Sequence, residues 1–478
     1  MIYLVLLTFL LPLILGVSLY FVKNENRNTK NIIIGSVVGS VVVLNIVLAF
    51  FKGKFNLFSI APSLNFGFMI DRLGSFFAIA ISFVWLLVTI YSFEYMKHEE
   101  NENKFYAFFF LSFSSLMGMC YSRNLITVYI FFELITLFSF PLVMHSKTKE
   151  SISAAMKYLF YSIGGAFLAL IGLFFLVKHS NNGDFTYGGI IDFTKLDKNI
   201  MHIVIFLGVL GFGAKAGMFP LQSWLPTAHP VAPSNASSVL SGIITKAGVF
   251  VIIRIIYYVV GTSYLVNSWV QIVLAILALI TILLGSGIAW ACKNFKKRLA
   301  YSTVSQVSYI LLGIFMMNEV ALVGSLLHVL AHMGIKVALF LSAGAILYKT
   351  HKRNVEELEG IGKVMPIVIV CYSLASLGLV GVPPLGGFYS KWFLATGSLI
   401  TDLGALKYIA CAVLLVSAIL TAAYLLPIMI KGFFVGDQVI EKNEPNKLMT
   451  IPLIVLVVCV FLVGIFSGYI SDYILGMM

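Results

Sequence analysis

The stretch Ile205-Phe-Leu-Gly-Val-Leu-Gly-Phe-Gly-Ala-Lys215-Ala-Gly-Met-Phe-Pro220 lies in an apolar run, residues 200–224, that a lysine, three glycines beside it and a proline interrupt near its end. A bilayer core about 30 Å thick takes about 20 residues of helix. Inside it, backbone polar groups must be bonded within the protein. Glycine and proline breaks therefore persist only where neighbouring protein or a wet cavity satisfies the freed groups. A lysine near a helix centre costs about 3 kcal/mol or more, so it marks a functional position by default. The stretch predicts a membrane protein whose broken helices and buried charges are its working parts.

The rest of the chain extends this reading. Of its 478 residues 60% are hydrophobic and only 11% charged, and the mean hydropathy is +0.99. A soluble domain carries about 25% charged residues, so a soluble enzyme or nucleic-acid binder is excluded despite the net charge of +12. Fourteen apolar segments follow one another, at approximately 2–22, 31–51, 73–93, 105–122, 124–144, 156–178, 200–224, 235–260, 268–290, 299–317, 320–347, 365–402, 406–431 and 450–474. The first lacks a basic leader and reads as a retained helix. The twelfth, like the seventh, is broken, here by Gly381, Pro383, Pro384, Gly386 and Gly387.

Basic residues orient the chain. Loops after odd-numbered segments carry 19 Lys and Arg, and loops after even-numbered segments carry 8. Positive loops stay inside, so odd loops are expected in the cytoplasm and both termini outside, in a multi-pass cell membrane of a prokaryote. Ser241-Gly-Ile-Ile-Thr-Lys246-Ala reappears as Ser417-Ala-Ile-Leu-Thr-Ala422-Ala, and the same offset of 176 carries Lys215 onto Lys391. Five helices separate the copies, which inverts the second, as in transporters built from inverted repeats. The expected organisation is 1–104 as N-terminal helices, 105–260 as a first five-helix repeat, 268–431 as its inverted copy, and 450–478 as a C-terminal helix.

The candidate chemistry lies in a few residues. Glu133 is the one acidic residue deep in a segment, and Lys215 and Lys246 are flanked by alanine and glycine. A lysine between desolvation and a nearby carboxylate can trade a proton; a static buried pair that fixes packing is the competing reading. His328, His332 and Lys336 recur every four residues on one helix face, a spacing suited to proton hopping, with packed polar side chains as the bland alternative. No third ligand accompanies the histidines, and no metal is expected. Arg254 is expected to snorkel to the outer interface. Asp71, Glu94, Lys157 and His229 read as interfacial, and His229 gains interest from its place beside the seventh segment. The five cysteines form no C-x-x-C, and no phosphate loop or nucleotide fingerprint occurs. No cofactor is therefore expected in this chain.

At these residues the sequence resembles the antiporter-like membrane subunits shared by respiratory complex I, Mrp-type cation/proton antiporters and membrane-bound hydrogenases. The matching stretches include Asp71-Arg-Leu, Tyr91-Ser-Phe-Glu-Tyr-Met96, Phe132-Glu133-Leu, Gly213-Ala-Lys215-Ala-Gly-Met-Phe-Pro220, Ala228-His229-Pro-Val-Ala-Pro233, Leu240-Ser-Gly-Ile-Ile-Thr-Lys246, Lys297-Arg-Leu-Ala-Tyr-Ser302, His328-Val-Leu-Ala-His332-Met-Gly-Ile-Lys336 and Gly381-Val-Pro-Pro-Leu-Gly-Gly-Phe-Tyr-Ser-Lys391. The resemblance implies an all-α fold of fourteen transmembrane helices, with helices 7 and 12 discontinuous. It implies a gating pair of Glu133 and Lys215, Lys246 as central proton carrier, His328 and His332 as a bridge, and Lys391 as terminal carrier, with His229 and Lys336 as accessories. Other membrane subunits and the lipid bilayer are the implied partners, and H+, alone or exchanged for Na+, the implied cargo. The absence of a long lateral helix after 474 sets the chain apart from the largest relatives, and Lys391 points to the Mrp D-type, the hydrogenase subunit or another complex I subtype, the shorter Mrp D-type form being the best match. The implied function is a pumping subunit of a redox complex; the alternatives are an Mrp antiporter subunit and a structural or quinone-binding subunit.

The topology is checked by reporter fusions. Fusions at residue 295 should report the cytoplasm and fusions at 190 the exterior; the reverse pattern would make the lysine excess of the odd loops accidental.

Overall fold

The computed structural model describes residues 1–22, 26–61, 64–180, 183–434 and 442–478. The chain runs through α1 (Ile2–Phe21), α2 (Arg27–Leu48), α3 (Arg72–Tyr95), α4 (Glu102–Cys120), α5 (Leu125–Val143), α6 (Lys149–His179), α7 (Lys198–Ala216) and the short α8 (Leu225–Val231). Then come α9 (Ser234–Val260), α10 (Trp269–Ala291), α11 (Phe295–Phe315) and α12 (Glu319–Thr350). The chain closes with α13 (Pro366–Val380), α14 (Gly386–Ile400), α15 (Leu406–Phe434), α16 (Lys447–Ile465) and α17 (Ser467–Leu475). Eleven helices among the described residues are long and apolar enough to cross a membrane. The protein is thus an α-helical, polytopic membrane protein, and each apolar segment of the sequence is occupied by helix.

The helices sort by what they face. All of α9 is buried, and α12 is buried from Ala321 to Ile346 apart from Leu330. These two form the centre of the bundle. On α6 the exposed Phe160, Phe167 and Phe174 recur every seven residues, an apolar stripe turned toward lipid. Its other face meets α7 backbone to backbone. A Cβ on Gly211 would strike the Gly165 carbonyl and the Ala169 backbone, so small residues set this close approach.

Both predicted breaks are present. Gly217 ends α7 at φ 76°, and Gly381 ends α13 at φ 99°; this left-handed termination favours glycine. The breaks correct one detail of the sequence reading. Gly217-Met-Phe-Pro-Leu aligns with Gly381-Val-Pro-Pro-Leu at an offset of 164, not 176. Lys215 precedes its break, in α7, whereas Lys391 follows its break, in α14. The two lysines are not equivalent positions around the breaks.

An antiparallel hairpin, β1 (Gly53–Ala61) and β2 (Leu64–Ile70), joins α2 to α3. The helical reading passed over it, although Phe66, Phe68 and Ile70 alternate with period two. It docks on the start of α5, where Arg123 N–H donates to the Gly67 carbonyl at 3.1 Å and Asn124 Nδ2 to the Asn65 carbonyl at 2.7 Å. Arg123 grips Asp184 in two hydrogen bonds of 2.5 and 2.6 Å. The loop beyond Asp184 caps α9, as Gly188 and Ile190 N–H groups donate to Tyr257 and Val259 carbonyls, each at 2.9 Å.

Arg254 does not snorkel. Its side chain is fully buried and makes a two-pronged ion pair with Asp71, at 2.5 and 2.8 Å. The guanidinium also lies 4.7 Å from the Tyr258 ring centre and 4.9 Å from that of Phe185. Asp71 caps α3 as well, accepting from Gly74 N–H at 2.9 Å. One carboxylate thus ties the start of α3 to the end of α9. Arg254→Leu should lower stability by about 3 kcal/mol, because it strands a largely buried carboxylate. Asp71→Asn with Arg254→Leu should cost less than the sum of the single changes in thermal unfolding of the solubilised protein. Additive losses would show that the pair does not couple the helices.

Candidate functional site

The buried charges lie along the middle of the bundle. On α7, Lys215 Nζ donates to the Phe132 carbonyl of α5 at 3.2 Å and to the Thr136 hydroxyl. It also stands 4.4 Å from the Phe132 ring centre. The expected Glu133–Lys215 ion pair is not made: among the described residues Glu133 joins no ion pair, and its buried Oε1 has no hydrogen-bond partner. Glu133 is nonetheless the residue next to Phe132, so carboxyl and amine occupy one neighbourhood with a hydroxyl and a carbonyl holding the amine.

On α9, widened turns of the π type flank the segment that carries Lys246, over Leu240–Ile244 and Arg254–Val260. Such turns are frequent at functional sites because they free backbone carbonyls. Lys246 Nζ donates to the Ser241 carbonyl of the first of these turns at 2.7 Å and reaches the Thr245 hydroxyl at 3.3 Å. Its third contact crosses to α12: Nζ lies 2.7 Å from His332 Nδ1. Amine and imidazole are both bases. A hydrogen bond between them needs one lone pair, so ammonium faces neutral imidazole, or neutral amine accepts from the ring N–H. The two groups share a single proton at this contact.

From His332 the polar line continues along α12. The His332 and His328 ring centres are 5.8 Å apart, and Nε2 of each is buried without a hydrogen-bond partner among the described residues. His328 Nδ1 lies 2.9 Å from the Ser390 hydroxyl of α14, and its ring stacks on Tyr309 at 5.7 Å. The next residue is Lys391. Its Nζ donates to the Leu379 and Val380 carbonyls at 2.6 and 3.0 Å and sits 5.2 Å from the Tyr309 ring centre. Those carbonyls are the freed C-terminal end of α13, where the helix dipole favours a cation. The break in the twelfth segment therefore provides the acceptors for its own lysine.

Lys336, one turn beyond His332, donates to the Leu299 carbonyl at 3.0 Å and to the Ser302 hydroxyl. His229 is fully buried on α8, stacked 4.8 Å from Phe340, and neither ring nitrogen has a hydrogen-bond partner among the described residues. Thr136, Tyr309 and Ser390 complete contacts that the sequence did not single out. Hydroxyl and phenol groups cost little in an apolar run and leave no signal there. Among the described residues no three His, Cys, Asp or Glu side chains converge as a metal site.

Comparison with known proteins places this geometry in a family. Residues 122–421 match the model described as NADH:quinone oxidoreductase/Mrp antiporter, TM, and residues 58–106 match the complex I chain 5 N-terminus. The chain is 31% identical over 422 residues to NADH-quinone oxidoreductase subunit N of Desulforudis audaxviator, covering 85% of this chain and 83% of that one. It is 34% identical over 336 residues to hydrogenase-4 component B of Escherichia coli, covering 68% of this chain and 49% of that longer protein. It is 25% identical over 481 residues to the D-type Na(+)/H(+) antiporter subunit of Alkalihalophilus pseudofirmus, covering 98% and 95%. Its fold matches a chain of the Mrp complex from Dietzia sp. DQ12-45-1b with a TM-score of 0.86 at 20% identity, covering 99% and 96%. The chain belongs to the NADH:quinone oxidoreductase/Mrp antiporter family.

The shared hydrogen bond of Lys246 and His332 is expected to appear as coupling. In thermal unfolding, Lys246→Ala and His332→Ala combined should depart from the sum of the single effects by about 1 kcal/mol or more. Additivity would mean that the two side chains do not act on each other.

Proposed function

We propose that this member of the NADH:quinone oxidoreductase/Mrp antiporter family is the proton-translocating membrane subunit of a multisubunit energy-converting redox complex of the complex I or membrane-bound hydrogenase kind. One observation carries the reading: exchangeable groups run from Lys246 through His332 and His328 to Ser390, beside Lys391, in the most buried part of the bundle. A bundle held by packing alone has no use for two lysines and two histidines there, because each costs desolvation.

A proton on Lys246 passes to His332 Nδ1 along their hydrogen bond. An imidazole that gains a proton at Nδ1 releases one from Nε2, and His328 takes it up, with the intervening step carried by water. His328 Nδ1 exchanges with the Ser390 hydroxyl, and Lys391 ends the line at the α13 carbonyls. At the other end, Glu133 governs Lys215. When the carboxylate closes on Lys215 it stabilises the ammonium there; when it withdraws, the Thr136 hydroxyl and Phe132 carbonyl hold the amine and the proton is favoured elsewhere on the line. Glu133, Lys215 and Lys246 fall in the first proposed repeat, 105–260, and His328, His332 and Lys391 in the second, 268–431. Odd loops face the cytoplasm of a prokaryotic cell, with both termini outside. Electron transfer is assigned to other subunits, because this sequence carries no C-x-x-C and no nucleotide fingerprint.

Exchange of Na+ for H+ in an Mrp-type assembly is the second reading. The near full-length alignment with a D-type Na(+)/H(+) antiporter subunit, 98% of this chain and 95% of that one, favours it. Both readings use the same proton line and differ in the partner subunits.

Lys246→Arg tests the shared core. Arginine keeps the cation but stays protonated, so ΔpH formation in vesicles holding the assembled complex should fall to the level of Lys246→Ala at matched protein amounts. Near-normal transport by Lys246→Arg would end the relay assignment.

A further inference from the structure

A cavity of about 370 Å³ opens where the α3–α4, α5–α6 and α8–α9 connections meet the start of α11 and the end of α12. Glu99, Ser146, Ala232, Lys296, Leu347 and Arg353 are on its wall. These connections belong to the basic, odd-numbered loops, so the cavity faces the cytoplasm on the proposed topology. It is polar, and it ends against the turn that leads from α8, with His229, into α9, with Lys246.

Two features tie the cavity to the buried line. Lys296 is buried, and its Nζ donates to the Ala232 carbonyl at 2.5 Å, holding that turn in place. His229 lies three residues earlier and is fully buried, with both ring nitrogens unpartnered among the described residues. The charged groups that act on it are Lys296 from α11, Lys336 from α12 and Lys246 from α9. It therefore stands between the cavity wall and the central lysines. A buried imidazole with neither nitrogen committed is unusual, because buried polar atoms are generally bonded. It can accept at one nitrogen and donate from the other.

We propose that this cavity is the cytoplasmic mouth of the proton path, with Glu99 as the group that gathers protons and His229 as the relay that passes them to Lys246; the proposal rests on the translocation reading above. Each step moves one proton. The Glu99 carboxyl releases H+ to water in the cavity and becomes a carboxylate; His229 binds H+ at one ring nitrogen and releases H+ from the other, which the Lys246 amine takes up as ammonium. Partial burial pushes the Glu99 carboxyl above the usual carboxylate range, against the opposing pull of Lys296. A carboxyl so placed exchanges protons closer to neutral pH.

The test uses the chain in its complex, reconstituted in vesicles, with initial ΔpH rates compared at matched protein amounts. Glu99→Gln and His229→Gln should each slow the rate about tenfold or more, and Glu99→Asp should recover most of the loss. Ser146→Cys places a thiol on the cavity wall. Reaction with a bulky, membrane-impermeant thiol reagent should lower its rate relative to its own unreacted sample, while reagent-treated protein with only the native cysteines keeps its rate. Full rates in Glu99→Gln and in reacted Ser146→Cys, with Lys246→Arg still inactive, would place entry elsewhere and leave the translocation reading standing. Equal losses in Glu99→Gln and Glu99→Asp would give Glu99 a structural place and overturn its role. Full transport by Lys246→Arg would overturn the translocation reading and this proposal with it.

Discussion

The 2.7 Å contact between Lys246 Nζ and His332 Nδ1 joins the two most buried helices of the bundle, α9 and α12. Two bases within hydrogen-bond distance cannot both keep a proton at the contact, and lipid offers no solvent to relieve either. Much of the surrounding structure serves this pair. The widened turn before Lys246 contains the Ser241 carbonyl that accepts from its amine. The outer helices, with α6 as the clearest case, turn aromatic side chains to lipid and leave the interior to polar groups. Close backbone packing between α6 and α7 brings Lys215 against α5.

The broken helices solve the same problem in two different ways. In the twelfth segment the break exposes the last carbonyls of α13, and Lys391 from the following half-helix fills them. In the seventh, the lysine lies before the break and reaches sideways to α5, while the freed Ala214 carbonyl is taken by Trp224 Nε1 at 2.9 Å. One lysine is thus held by a helix end and the other by a neighbour whose acidic residue stands unbonded. Lys391 takes both acceptors from its own segment, whereas Lys215 takes a carbonyl and a hydroxyl from α5, beside Glu133.

The outer ends of the helices are tied by a separate set of charges. Asp71 caps α3 and grips Arg254 of α9, and Arg123 grips Asp184 beside the hairpin. In both pairs each carboxylate oxygen accepts from a guanidinium, although Arg254 Nε keeps no partner among the described residues; Glu133, His229, His328 and His332 each retain an unpartnered buried atom as well.

The sequence by itself determined that the protein spans a membrane, that its seventh and twelfth segments break, and that Lys215, Lys246, His328, His332 and Lys336 lie inside it; it put Arg254, Glu94 and His229 at the interface, and the structure buries all three. Hydrophobic run length, glycine and proline chemistry and the cost of charge in lipid are local properties, legible one segment at a time. Partners were not legible, because a partner depends on which faces meet. Only the tertiary structure showed Arg254 on Asp71 instead of at the interface, since the acid that holds it is 183 residues away in the chain. Only the structure placed Thr136 on Lys215, Tyr309 between His328 and Lys391, and Lys391 on carbonyls that an unbroken helix would have used internally. The register of the two lysines was misjudged from sequence for a related reason: short matching strings fix an offset, but the geometry of a break is set by where the left-handed glycine falls, at 217 and 381.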